Sequence, residues 1–143
     1  MAQFADLTID DVIDNFSLFD SWEDKYTYLM DLGKKLPPLS PDAKNDANKV
    51  KGCQAEVWVR ATFEPAPQGT IMRLEGDSES AIVKGLVALA LLLFSEKSVV
   101  EIPGIDEKPT FESLGLDQYL SPTRKVGLNA MVKKIKGFAL ERA

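Results

Sequence analysis

Histidine is absent from this chain, and cysteine occurs once, as Cys53. A lone thiol cannot close an intramolecular disulfide. Without imidazole there is neither a Cys–His nucleophile pair nor a histidine metal ligand, so any covalent chemistry must use a thiol without those partners. Long apolar runs are missing too: the longest, Leu86 to Phe94, covers nine residues, whereas a membrane span needs about 20. That run is expected to be a buried helix, with no membrane partner. An excess of positive charge is also lacking. Lys and Arg total 17 against 22 Asp and Glu, a net charge of −5, which argues against the clustered basic footprint of nucleic-acid binding. The start, Met1-Ala2-Gln3-Phe4-Ala5-Asp6, has no basic stretch followed by a long apolar one, so no export signal is expected. An unpaired cysteine then fits a reducing cytoplasm.

What is present suits one compact domain over residues 1–143, since 45% apolar residues suffice for a core at this length. Charge is unevenly spread. Residues 1–31 hold eight acids against Lys25, and residues 121–143 hold six bases against Glu141, which predicts two helices of opposite charge that attract each other or meet partners. Thr8 can cap a helix with Ile9, Val12, Ile13, Phe16 and Phe19 on one face. Ser21 begins a second, presenting Trp22, Tyr26, Leu29 and Met30, which Pro37-Pro38 stops beyond Leu36. Ser40 to Asn48 reads as a polar surface connector.

From Gln54 the period changes to two, with Ala55, Val57 and Val59 facing one way and Glu56, Trp58 and Arg60 the other. The turn Pro65 to Gly69 and the alternation Thr70 to Glu75 complete an antiparallel hairpin. Gly76-Asp77-Ser78 ends it and caps a central helix from about Glu79 to Phe94. Val99 to Pro103 is a connector or edge strand, and Thr110 to Leu114 a short helix stopped by Gly115. Ser121-Pro122 opens the last helix, with Leu128, Met131, Val132, Ile135 and Phe138 as its apolar stripe.

Taken alone, Cys53 reads as a small buried hydrophobe, the commonest state of a free cysteine. Its neighbours shift that reading. Lys49 and Lys51 bring positive charge that favours a thiolate, and Gly52 permits the backbone geometry of a presented side chain at a loop-to-strand junction. A carrier of sulfane sulfur gains from a single thiol, because a neighbouring one would discharge the persulfide as a disulfide. Arg124 stands in the exposed first turn of the last helix, remote in sequence from Cys53, where the dipole disfavours a cation, so it reads as a solvated arginine or a partner contact. Asp77 and Glu79 read as caps; Trp22, Tyr26 and Trp58 read as core or sheet-face aromatics.

Gly52-Cys53-Gln54 followed by Glu56-Val57-Trp58 resembles the cysteine segment of the SufE family. So do Trp22-Glu23-Asp24-Lys25-Tyr26, Leu32-Gly33-Lys34-Lys35-Leu36-Pro37, Leu74-Glu75-Gly76-Asp77-Ser78 and Ala81-Ile82-Val83-Lys84-Gly85-Leu86. Leu120-Ser121-Pro122-Thr123-Arg124 and Gly127-Leu128-Asn129-Ala130-Met131 continue the series, which covers most of residues 12–138 in the family's order.

The resemblance implies an α+β fold, a small curved antiparallel sheet packed against helices, similar to the IscU-like iron–sulfur scaffold proteins. It implies that Cys53 accepts persulfide sulfur from a cysteine desulfurase of SufS or CsdA type, stimulates that enzyme and passes the sulfur to a scaffold complex. Arg124, and with it Gly52 and Gln54, would contact the partner. Pyridoxal phosphate belongs to the desulfurase, and no cofactor is implied here. SufE and CsdE branches, and a monomer or homodimer, are left open.

Rival readings are a true cluster scaffold, opposed by one cysteine and no histidine as ligands, a thiol peroxidase without a supporting histidine, and a binding module with a structural cysteine. The contrast of Lys49 and Lys51 with apolar Val50, Ala55 and Val57 predicts a thiol tucked inward at rest and turned outward on docking.

Overall fold

The computed structural model describes residues 4–142. Met1 to Gln3, within the start expected to carry no export signal, and Ala143 lie outside the described residues. The chain forms an α+β layer arrangement around an open three-stranded antiparallel sheet of order β1-β2-β3. The strands are β1 (Val57–Glu64), β2 (Ile71–Ser78) and β3 (Lys97–Ser98). The helices are α1 (Ile9–Ser17), α2 (Trp22–Lys34), α3 (Ala81–Phe94), α4 (Lys108–Ser113), α5 (Leu116–Tyr119) and α6 (Pro122–Arg142).

Local chemistry accounts for most starts and stops. Thr8 and Asp11 cap α1 reciprocally, each side chain accepting from the other's backbone N–H. The helix ends at Ser17, so Phe19 lies beyond the face assigned to it. Ser21 Oγ accepts from the Asp24 N–H to open α2, which stops at Lys34, two residues short of Leu36. Gly115, at φ 74°, takes the left-handed conformation that terminates α4, and α5 begins at once behind it, a turn the sequence pattern did not reveal.

β1 pairs with β2 from Val57↔Ser78 to Glu64↔Ile71. The second strand thus runs three residues beyond Glu75, and the α3 cap is Ser80, whose Oγ accepts from the Val83 N–H. Asp77 is therefore a strand residue and not a cap. It bridges Lys44 (3.1 Å) and Lys84 (3.3 Å) and accepts from the Ser78 N–H. Burial alone would raise its carboxyl, but those three donors outweigh burial and hold it below the usual carboxylate range. The edge strand falls at Lys97–Ser98, just ahead of the Val99 to Pro103 segment proposed for it.

The central helix is α3, with Leu86, Leu89 and Phe94 fully buried; each such side chain contributes roughly 1.5–3 kcal/mol of burial. α2 crosses it with backbones in contact, because a Cβ on Gly33 would stand 2.8 Å from the Gly85 nitrogen. The 40–48 segment is less external than its polarity suggested. Leu39 and Ala43 form a second apolar cluster with Trp58, on the sheet face opposite Val57 and Val59. The oppositely charged ends do not neutralise each other among the described residues: the ion pair of α6 is Lys136 with Glu107, and none joins it to α1.

Candidate functional site

Cys53 lies in a loop whose ends are tied together. The Val50 N–H donates to the Val57 carbonyl and the Val59 N–H to the Asn48 carbonyl, both at 2.8 Å, so residues 48–50 run along the outer edge of β1. Gln54 to Glu56, expected as strand, belong to this loop, which carries Cys53 midway between Val50 and Val57. Gly52 supplies the bend at φ 96°, a region costly for side-chain-bearing residues.

The loop leans on α6. Positions 127, 130 and 131 share one face of that helix; an added Cβ on Gly52 would lie 3.6 Å from Ala130, and one on Gly127 would lie 3.2 Å from the Cys53 sulfur. The absent side chain of Gly127 is thus the space the thiol occupies. The thiol donates to the Gly127 carbonyl oxygen at 3.6 Å. Cys53 is partly buried against the main core, and that burial pushes its thiol up from the ordinary value. The thiolate-favouring effect expected of the lysines is not realised: Lys49 pairs with Glu56 at 3.7 Å, Lys51 is exposed, and desolvation governs the thiol.

Beside the thiol opens a cavity of about 460 Å³ bordered by Cys53, Gln54, Ser80, Thr123, Arg124 and Met131, among others. Arg124, expected in an exposed first turn and far from Cys53 only in sequence, is instead half-buried and lines this same cavity. Its backbone N–H donates to Ser121 Oγ at 3.3 Å, while its guanidinium has no hydrogen-bond or ion-pair partner among the described residues. It also borders an adjoining hollow of about 340 Å³ with Tyr26, Met30 and Ile82. The structure therefore brings Cys53, Gln54 and Arg124 together, with exposed Gly52 shaping the loop. Gly127, Met131 and Ser80 were missed as site residues. The spacing of Arg124, Gly127 and Met131 at i, i+3 and i+7 was the available signal. Trp22 and Tyr26 serve packing, Trp22 stacking on Tyr119 at 4.2 Å and the Tyr26 hydroxyl donating to the Tyr119 carbonyl.

The match of this chain to a family model places it in a protein class associated with iron–sulfur metabolism. The Fe-S metabolism associated domain of SufE matches residues 10–139, and the chain belongs to the SufE family. An uncharacterised SufE-like protein of Rhizobium etli is 42% identical over 136 residues, covering 95% of this chain and 92% of that one. Another, from Rhizobium meliloti, is 39% identical over 132 residues, covering 92% and 94%. The solution structure of a hypothetical protein from Thermus thermophilus superposes with a TM-score of 0.72 at 20% identity, over 93% of each chain, a likeness of fold. No helix among the described residues is long and apolar enough to cross a membrane.

Proposed function

We propose that this protein is a cytoplasmic sulfur acceptor: it takes sulfane sulfur from the persulfide of a pyridoxal-phosphate-dependent cysteine desulfurase onto Cys53, stimulates that enzyme and delivers the sulfur to an iron–sulfur scaffold complex. It acts as an accessory protein with a covalent intermediate. The observation that carries the reading is the chain's single thiol, held partly sheltered at a tied loop beside an open cavity.

The transfer needs no oxidant. The Cys53 sulfur attacks the outer sulfur of the donor persulfide, the donor's S–S bond breaks, a new S–S bond forms on Cys53, and the thiol proton ends on the released donor thiol. The raised thiol suits a carrier that stays neutral and slow at rest, and the shallow hold on Gly127 suits a loop that turns outward when a partner docks. Gly52, Gln54 and Arg124 are the partner-contacting residues of this reading, the first two exposed around the thiol. A cluster scaffold is disfavoured because one cysteine and no histidine give too few customary ligands.

Desulfurase turnover on free cysteine tests this. Added wild-type protein should raise it severalfold, and Cys53→Ser, which keeps the shape without the nucleophile, should not. Equal stimulation by the serine variant would refute the assignment.

A further inference from the structure

The charge balance of the Cys53 cavity carries an inference beyond sulfur acceptance, though resting on it. Arg124 is the one charged side chain among the described residues that border the cavity, and its guanidinium has no partner there. The openings of two helices also border it: Ser80 caps α3, and Ser121 and Thr123 start α6. Helix N-termini favour negative charge, and an arginine placed at one is opposed by the same dipole unless an anion stands between. The cavity is thus arranged for an anion, while the group at its wall, the resting thiol, is held neutral by burial.

Loading changes that group. An added sulfur extends the side chain by about 2 Å, for which a cavity of about 460 Å³ leaves room. A persulfide is more acidic than its parent thiol, so the loaded side chain ionises where the empty one does not. We propose that Arg124 is the counter-ion of the Cys53 persulfide: it pairs with the terminal sulfur anion, lowers its pKa and holds the cargo in the cavity until a partner draws the loop out. The five N–H donors of a guanidinium allow the same residue to contact a docked partner as well. The empty thiol is hydrogen-bonded to the Gly127 carbonyl and raised by burial, so the proposed pairing belongs to the loaded state.

The test bypasses the desulfurase, so that weakened docking cannot imitate the effect. Wild type, Arg124→Gln and Arg124→Lys are loaded with inorganic disulfide dianion, which gives one sulfur to Cys53 and leaves as hydrosulfide. Alkylation by iodoacetamide is then followed by intact mass across a pH series, for loaded and empty protein. In the glutamine variant the persulfide inflection should rise by about one pH unit, a tenfold drop in ionised fraction below it. The lysine variant should recover part of the shift, and the empty-thiol profile should stay in place. Coincident persulfide profiles in wild type and Arg124→Gln would overturn the proposal, as would an equal shift of the empty thiol, which would mark general electrostatics. If the disulfide leaves wild-type Cys53 unloaded, the three proteins are loaded by a desulfurase with cysteine and separated from it before alkylation; failure of wild-type Cys53 to gain sulfur there would instead overturn the acceptor reading beneath it.

Discussion

Gly127→Ala sets two effects of opposite sign against each other on one helix. In a helix interior alanine is favoured over glycine by up to about 1 kcal/mol. The new methyl would stand 3.2 Å from the Cys53 sulfur and 3.9 Å from its Cβ, a few tenths of an ångström closer than the sulfur tolerates. A rigid core would lose about 1–3 kcal/mol from such crowding, but the obstacle here is a partly exposed loop that can move aside. The two terms should nearly cancel, leaving stability within about 1 kcal/mol, or about 3 °C of melting temperature for a chain of this size. The thiol bears the consequence. Displaced from its shelter and from the Gly127 carbonyl, it regains water, its pKa falls back toward the ordinary thiol value, and alkylation at neutral pH should be faster than in wild type. Gly137→Ala is the control, since nothing lies within 4 Å of its added Cβ; it should stabilise α6 by up to about 1 kcal/mol and leave alkylation unchanged. Iodoacetamide kinetics and thermal melts on the three proteins decide the matter. Alkylation of Gly127→Ala at or below the wild-type rate would refute the argument that this glycine makes room for the sheltered thiol.

Other perturbations have equally definite outcomes. Native Cys53, its thiol raised by burial, should react more slowly than in the denatured chain at neutral pH, and its contribution to stability, full below the unfolded value of about 8.5, should fade as pH rises through the folded value; equal native and denatured rates would contradict it. Asp77 is depressed, so its contribution is present above the unfolded value of about 3.9 and disappears as pH falls through the folded one; Asp77→Asn should cost about 1–2 kcal/mol at neutral pH in a denaturant titration and flatten the acid limb. Gly85→Ala should destabilise by more than about 2 kcal/mol in the same titration, because its Cβ would press on the Leu29 carbonyl of the crossing helix. Gly52→Ala, forced to φ 96°, should lose about 1–2 kcal/mol or reshape the loop, read as altered amide exchange over residues 49–54.

Where the sequence was legible, the cause was local. Thr8, Ser21 and Gly115 mark helix ends through chemistry contained within a few residues, and the alternation of Val57 and Val59 with Trp58 separates two apolar clusters across the sheet. Where it misled, the deciding partner was distant. Asp77 and Ser78 resemble cap residues, but pairing with Trp58 and Val57 keeps them in β2, so the cap passes to Ser80. Residues 48–50 have no strand pattern of their own and are recruited by the edge of β1. The thiol's surroundings were hidden for the same reason: Lys49 and Lys51 are its neighbours in sequence, while Gly127, 74 residues away, sets its hydrogen bond and limits its space. Arg124 was recognised as a functional candidate, and its place beside the thiol emerged only when α6 was laid against the loop.

The most direct measurement of the central claim is the intact mass of this protein after incubation with a cysteine desulfurase and free cysteine. The account predicts a gain of one sulfur atom, located on Cys53 by peptide mapping, removed by a reducing thiol and absent from Cys53→Ser. No gain in wild type, or an equal gain in the serine variant, would contradict it.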